Sequence, residues 1–448
     1  MALLALITLT YLCYTYAAFV PPRMHYSRID ASPVPSIGIP DDVQQSWSMY
    51  SPYFAAGTYE APPDGCLVDQ VFVPDYNQIQ RHGARFPTSG AATRIKAALS
   101  KLQSVTDFTD SLLEFVEDYT YDLGQDNLVP FGASQSYEAG RVAFERYSWI
   151  LKGQEPFVRA SSGSRVVDSA SNWTAGFAAA SAHRYNPVVS VILSEAGNDT
   201  LDDNMCPAAG DSDPETNAWL ATFAPPMTAR LNAGAVGANL TDTDTYNLLT
   251  LCPFDTVAKE RPGDFCAVYE ALDAGSAFMY SGDLDKYYGT GYGQPLGPVQ
   301  GVGYINELLA RLTGTAVQDQ TQTNSTLDSD PATFPLNRTF YADFSHDNQM
   351  AAIFAAMGLL RQSAPLNATN PDPSRTWRNE KMLPFSGRMV VERLSCDGQT
   401  HVRVLVNDAL MPLEFCGSGD GLCTLDAFVG SQSYARNNGN GDWEQCFE

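Results

Sequence analysis

The sequence predicts an α/β fold: a sheet with flanking helices, plus a smaller inserted domain that is mainly α-helical. Three observations carry this. From about Gly65 onward, short β-branched runs alternate with helix-period segments. A loop-rich stretch from about 198 to 285, full of Asn, Asp and Thr and with only modest helices, interrupts that alternation and reads as an insertion. Near the end, the runs 388–394 and 401–406 are joined through Ser395-Cys396-Asp397-Gly398-Gln399-Thr400 as a hairpin.

In chain order, residues 1–18 read as a secretory signal peptide: the apolar run 2–18 is too short to span a membrane comfortably and ends in small residues before Val20-Pro21-Pro22-Arg23. Residues 19–60, rich in Pro, Ser and Tyr and without periodicity, form an irregular arm. Segments 61–110, 152–197 and 290–448 make up the α/β domain, and 111–151 with 198–289 the inserted lobe. Helices are expected over 91–103, 111–118, 134–151, 303–313 and 348–360, and a buried strand over 188–193 (VVSVIL). There is no internal repeat.

Composition narrows the function classes. Of 448 residues 44% are apolar and 17% charged, an ordinary globular balance, and a prior of about 150 residues per domain allows two or three units. With 51 acidic against 27 basic residues the net charge is −24, which argues against a nucleic-acid partner. No further segment looks like a membrane span. Nine cysteines leave eight once Cys13 is assigned to the signal: Cys66, Cys206, Cys252, Cys266, Cys396, Cys416, Cys423 and Cys446. In an exported chain these read as four disulfides, with 105 connectivities open and no zinc-type pair. Sequons at Asn172, Asn198, Asn239, Asn324, Asn337 and Asn367 would accept glycans on exposed loops, so a secreted, extracellular glycoprotein is expected.

Phosphate-loop, dinucleotide, serine-hydrolase and metalloprotease motifs are all missing. What stands out is Gln80-Arg81-His82-Gly83-Ala84-Arg85-Phe86-Pro87-Thr88; a match to R-H-G-x-x-R-x-P in so long a chain has a chance probability on the order of 10⁻⁴. Two guanidiniums can fork onto phosphate oxygens, Gly83 allows close backbone approach, and His82 can present a ring nitrogen to phosphorus. In Tyr341-Ala342-Asp343-Phe344-Ser345-His346-Asp347-Asn348 a strand runs into His346-Asp347 and an Ala-rich helix, a position where α/β sheets bind anions. In the third element, 156–165, Arg159 ends a short strand before small hydroxyl-bearing residues.

Together the three resemble the histidine acid phosphatases, specifically the fungal phytases, from about residue 60 to the C-terminus. The segments 285–291, 296–304, 306–313 and 327–337 look like those of basidiomycete-type phytases. The resemblance implies a phosphoglycerate-mutase-like sheet, with His82 as nucleophile, Asp347 as proton donor, Arg81, Arg85, Arg159 and His346 on the phosphate, and Lys286 reaching toward remote phosphates. It also implies the disulfides Cys66–Cys396, Cys206–Cys446, Cys252–Cys266 and Cys416–Cys423, and no metal or other cofactor. A monomer acting on phytate, first at the 6-position, is expected; a broad acid phosphatase or a noncatalytic binder of phosphorylated ligands stays open. One departure is Val71-Phe72-Val73-Pro74-Asp75-Tyr76 in place of an unbroken strand before RHG. Either the strand starts at Tyr76, or the insert is a bulge, or a gene-model boundary is misplaced.

The chemistry sets electrostatic requirements. His82 must be unprotonated at acidic pH, which neighbouring guanidiniums would bring about. Asp347 must be a neutral acid beside the bound dianion and then a base for water.

Overall fold

The structure, a computed structural model, describes residues 36–68, 76–417 and 419–448. The signal segment and the insert from Val71 to Asp75 lie outside the described residues. One mixed sheet contains β1 (Cys66–Val68), β2 (Tyr76–Arg81), β3 (Phe157–Ser161), β4 (Val189–Leu193), β5 (Phe340–Ser345), β6 (Arg388–Cys396), β7 (Gln399–Val406), β8 (Ala409–Leu410) and β9 (Cys423–Thr424). Its order is β4-β3-β5-β2-β6-β7-β8, with β1 on β6 and β9 on β7. The four strands β4, β3, β5 and β2 run parallel, and β6 and β7 return antiparallel as the expected hairpin. β2 begins at Tyr76, so the break ahead of RHG precedes the strand.

Alternation along β5 shows how the sheet is covered on both faces. Phe340, Ala342 and Phe344 pack with Trp173 and Phe177 of the helix Ser164–Ala180 and with Ala139 and Ala143 of Pro130–Tyr147. Tyr341 faces the opposite core, shared with Val302–Thr313 and Asp347–Met357. The first two helices lie backbone to backbone: a Cβ on Gly140 would stand 2.0 Å from the Trp173 carbonyl oxygen, and one on Gly176 1.9 Å from that of Tyr137.

A second, helical core draws on Ser89–Gln103, Asp242–Leu249, Leu251–Lys259 and Phe265–Ala271. Three boundaries differ from expectation. Pro130–Tyr147, assigned to the insert, covers the sheet, whereas Ser89–Gln103, assigned to the α/β domain, faces the helical core. The described part of the arm is packed, with Ile37, Ile39 and Trp47 in that same core. The stretch expected to be loop-rich holds the 22-residue helix Asp213–Gly234; its internal Pro225 and Pro226, which normally break helices, hide it from propensity.

Two smaller corrections follow. Among the described residues β4 pairs only with β3, as an edge, and Ile192 is 51% exposed where a buried strand was expected. Asn172 sits within the helix Ser164–Ala180 and Asn324 caps Ser325–Asp328, whereas Asn198, Asn239, Asn337 and Asn367 are exposed. The eight cysteines pair as the resemblance implied.

Candidate active site

Because β3, β5 and β2 are adjacent and parallel, the loops at their carboxyl ends open at one edge of the sheet, where open α/β folds bind ligands. β2 delivers Arg81 and His82. The chain beyond is clasped: the Gly83 amide donates to Ser169 Oγ at 3.0 Å and the Ala84 amide to Gln135 Oε1 at 2.9 Å. Gly83 is needed for this approach, since a Cβ there would lie 2.2 Å from the Gly132 carbonyl oxygen. β5 delivers His346 as N-cap of Asp347–Met357.

The tautomer of His82 follows from its neighbour. Nδ1 lies 2.8 Å from the Gly83 carbonyl, which can only accept, so Nδ1 carries the hydrogen and Nε2 keeps its lone pair. Burial first, then Arg81, Arg85, Arg165 and His346, hold this imidazole well below its ordinary range. Burial thus outranks the guanidiniums expected to do this. Arg81 is anchored by the carbonyls of Met49 and Leu383 and stacks on Phe385 with its guanidinium carbon 4.7 Å from the ring centre. Burial lowers Arg81 to about 10, still a cation in acid. The buried Nε groups of Arg81, Arg85 and Arg165 have no hydrogen-bond partner among the described residues. Unpaired buried donors cost free energy, and an incoming anion would satisfy them.

Asp347 faces Arg81 Nη2 at 3.0 Å and Lys286 Nζ at 3.3 Å. Burial would raise its carboxyl, but Arg81, Lys286, His82 and Arg85 outweigh that and hold it well below the carboxylate range. Lys286 donates to Asn348 Oδ1 at 2.6 Å and pairs with Asp285 at 3.0 Å. Its amine therefore sits beside Asp347. His346 is 5.7 Å from His82, ring centre to ring centre, accepts from Arg165 Nη2 at 3.2 Å and meets Glu195 Oε1 at 3.0 Å through Nε2. Beside the site, a cleft of about 270 Å³ is lined by Tyr50 of the arm, Arg94, Ser212, Tyr246 and Asp285, among others.

Thus His82, Arg81, Arg85, His346, Asp347 and Lys286 meet, and Arg159 does not. Its nitrogens bond Asp343 at 2.8 Å and Glu307 at 2.6 Å, on the far side of β3 and fully buried. Strand alternation explains the correction: Val158 and Ala160 face the core under Trp173, which turns Arg159 toward Asp343 on β5. Arg165, the second residue of the next helix, lies beside His346 and His82 instead. Sequence reasoning also missed Glu195 and Tyr50. Arg165 was legible as a cation at the start of a helix following a strand, whereas the other two carry no local signal.

A family model for the histidine phosphatase superfamily (branch 2) matches residues 76–407. Phytase A of Aspergillus oryzae is 37% identical over 431 residues, covering 90% of this chain and 91% of that protein. Phytase A of Emericella nidulans is 39% identical, with 91% of each covered. Among solved structures, the phytase from D. castellii superposes with a TM-score of 0.74 at 21% identity, over 90% of this chain and 87% of that one. The Bifidobacterium longum multiple inositol polyphosphate phosphatase bound to inositol hexasulfate does so with 0.61 at 15%, over 85% and 96%. The chain therefore belongs to the histidine phosphatase superfamily, branch 2.

Proposed function

We propose that this protein is a secreted phosphomonoesterase that hydrolyses phytate to lower inositol phosphates and orthophosphate, working at acidic pH and starting at the 6-position. The observation that carries the reading is the His82 ring: Nδ1 held by a carbonyl, Nε2 bearing its lone pair, and buried guanidinium donors around it. Arg81, Arg85, Arg165 and His346 neutralise the nonbridging oxygens. Nε2 attacks phosphorus in line as the ester oxygen departs.

The departing oxygen needs a proton, and in the free site Asp347 is an anion paired with Arg81 and Lys286. A bound dianion competes for Arg81 and adds a like charge beside Asp347, and both effects raise the carboxyl so that it takes a proton in acid. Asp347 gives that proton to the leaving oxygen and, now a base, takes one from the water that cleaves the phosphohistidine.

The test is inositol phosphate product analysis of the secreted protein, with rapid-quench trapping of a phosphoenzyme. Acid-labile phosphate on His82, lost in His82→Ala along with turnover, is expected. Preference for p-nitrophenyl phosphate over phytate would make the protein a broad acid phosphatase. Binding of phosphorylated ligands without phosphate release would make it a binder.

A further inference from the structure

The Glu195 carboxylate holds three hydrogen bonds at the rim of the site, and the proposed chemistry does not use it. We propose that Glu195 is a positioning residue for phosphate binding: its carboxylate fixes the His346 ring and stabilises the doubly protonated imidazolium that grips a phosphoryl oxygen. The inference rests on the phosphatase reading and supplies the charge of one of its groups.

The orientation of Glu195 is set independently of His346. Its Oε1 accepts from the Gly163 amide at 2.7 Å and from Ser161 Oγ at 2.9 Å, both at the end of β3, and only then meets His346 Nε2 at 3.0 Å. Space is reserved for this: a Cβ on Gly163 would lie 2.6 Å from that oxygen and 3.4 Å from Nε2. On the other side of the ring, Arg165 can only donate, so in the free site Nδ1 is an acceptor and Nε2 bears the hydrogen given to Glu195. An arriving phosphate draws Arg165 to itself and turns an acceptor oxygen toward Nδ1. That contact is favourable only if Nδ1 gains a proton, taken from acidic solvent or from the phosphate monoanion, while Nε2 keeps its own hydrogen and goes on donating it to the Glu195 carboxylate. Only N–H and O–H bonds change.

The groups around His346 single out Glu195. Asp347 follows it on its own helix, Arg165 and His82 face it from the other two loops, and Asp199, Asp202 and Asp203 join Glu195 in the segment after β4. Burial raises Asp199 and Asp203, and raises Asp202, 3.7 Å from Nε2, to about 6. The hydrogen bond with His346 lowers Glu195 to about 2. As pH falls, Glu195 therefore keeps its charge longer than Asp202 does.

Glu195→Gln keeps the shape and removes the charge. With orthophosphate as probe, its inhibition constant against p-nitrophenyl phosphate is measured from pH 3 to 7. The variant should bind orthophosphate about tenfold or more weakly at pH 5, with the upper limb of the pH dependence displaced downward by about one unit, equivalent to that tenfold change. KM should rise more than kcat falls, and Glu195→Asp should recover part of the loss. Ser161→Ala, which removes one anchor and no charge, should give a smaller shift of the same sign and serves if Glu195→Gln does not fold. Unchanged affinity, or a loss uniform across pH as a packing defect gives, would overturn the assignment. Failure of the wild-type protein to bind orthophosphate would overturn the phosphatase reading and this inference with it.

Discussion

Two groups of buried and half-buried arginines meet opposite fates. Arg159 and Arg311 share Asp343, and Glu307 completes the set, so the positive charges under the sheet are matched by carboxylates at hydrogen-bond distance. Phe334 lies against both guanidiniums, 5.2 Å and 5.0 Å from the ring centre. At the sheet edge, Arg81, Arg85 and Arg165 have one carboxylate at ion-pair distance among the described residues, Asp347, which Lys286 also claims. Residue type does not separate these groups; charge compensation does. The closed group holds the strands that carry the site, and the open one retains donors for an anion.

The sharpest way to break the comparison is to remove one arginine from each group. Arg81→Ala should lower kcat/KM by about 10²–10³, as loss of a donor at the developing charge does, and leave the unfolding midpoint near that of the wild type. Arg159→Ala should do the reverse. Stranding Glu307 without its cation, and leaving Asp343 with Arg311 alone, should destabilise by about 3–5 kcal/mol, while kcat per folded molecule stays close to normal. Urea unfolding beside steady-state kinetics reads both. Equal losses of activity and stability in both variants would erase the distinction.

Each of the two regions holds carboxylates that answer pH in opposite directions. Glu195 is lowered to about 2 by its bond to His346; Asp343 reaches about 2 because Arg159 and Arg311 outweigh burial. Depressed groups contribute stability that is present above their unfolded values near pH 4 and lost as pH falls through about 2. Burial raises Asp202 to about 6, Asp283 to about 7 and Asp328 to about 8, with Glu380 and Glu307 adding to the last two. Raised carboxyls contribute stability that is full below pH 4 and lost as pH rises through about 6–8. His82, depressed, works the other way over its own range, one group against these three and the likewise raised Asp199, Asp203 and Asp255. The unfolding midpoint should therefore be higher at pH 4 than at pH 8; the opposite order would contradict these assignments.

How much of this was legible in the sequence follows the same line. RHGARFPT and SHD announced their residues because each motif ends a strand at the open edge, where sequence neighbours stay spatial neighbours. Arg159 misled because a motif does not say which face of a strand a residue takes; the alternation of Val158 and Ala160 about it did, once the core was known. Glu195 and Tyr50 reach the site from the segment after β4 and from the arm, positions fixed by tertiary packing alone. The helix Asp213–Gly234 stayed hidden for a local reason, two prolines that tertiary contacts overrule.

The finest distinction concerns Lys286, which stands between the two behaviours: a buried cation with carboxylate partners, as in the closed group, yet touching Asp347, the proposed proton donor of the open one. Burial works against its charge, and Asp285 and Asp347 more than restore it. Lys286→Met removes one of the two cations that keep Asp347 ionised. The carboxyl should then hold its proton to higher pH, and the alkaline limb of kcat should move up by about one unit, as expected on losing one close opposite charge. A lysine that gripped distant phosphates would behave otherwise: its loss would raise KM for phytate, spare p-nitrophenyl phosphate and leave the kcat limb in place. Profiles of kcat for both substrates between pH 3 and 8 therefore decide whether Lys286 tunes the acid or reads the substrate.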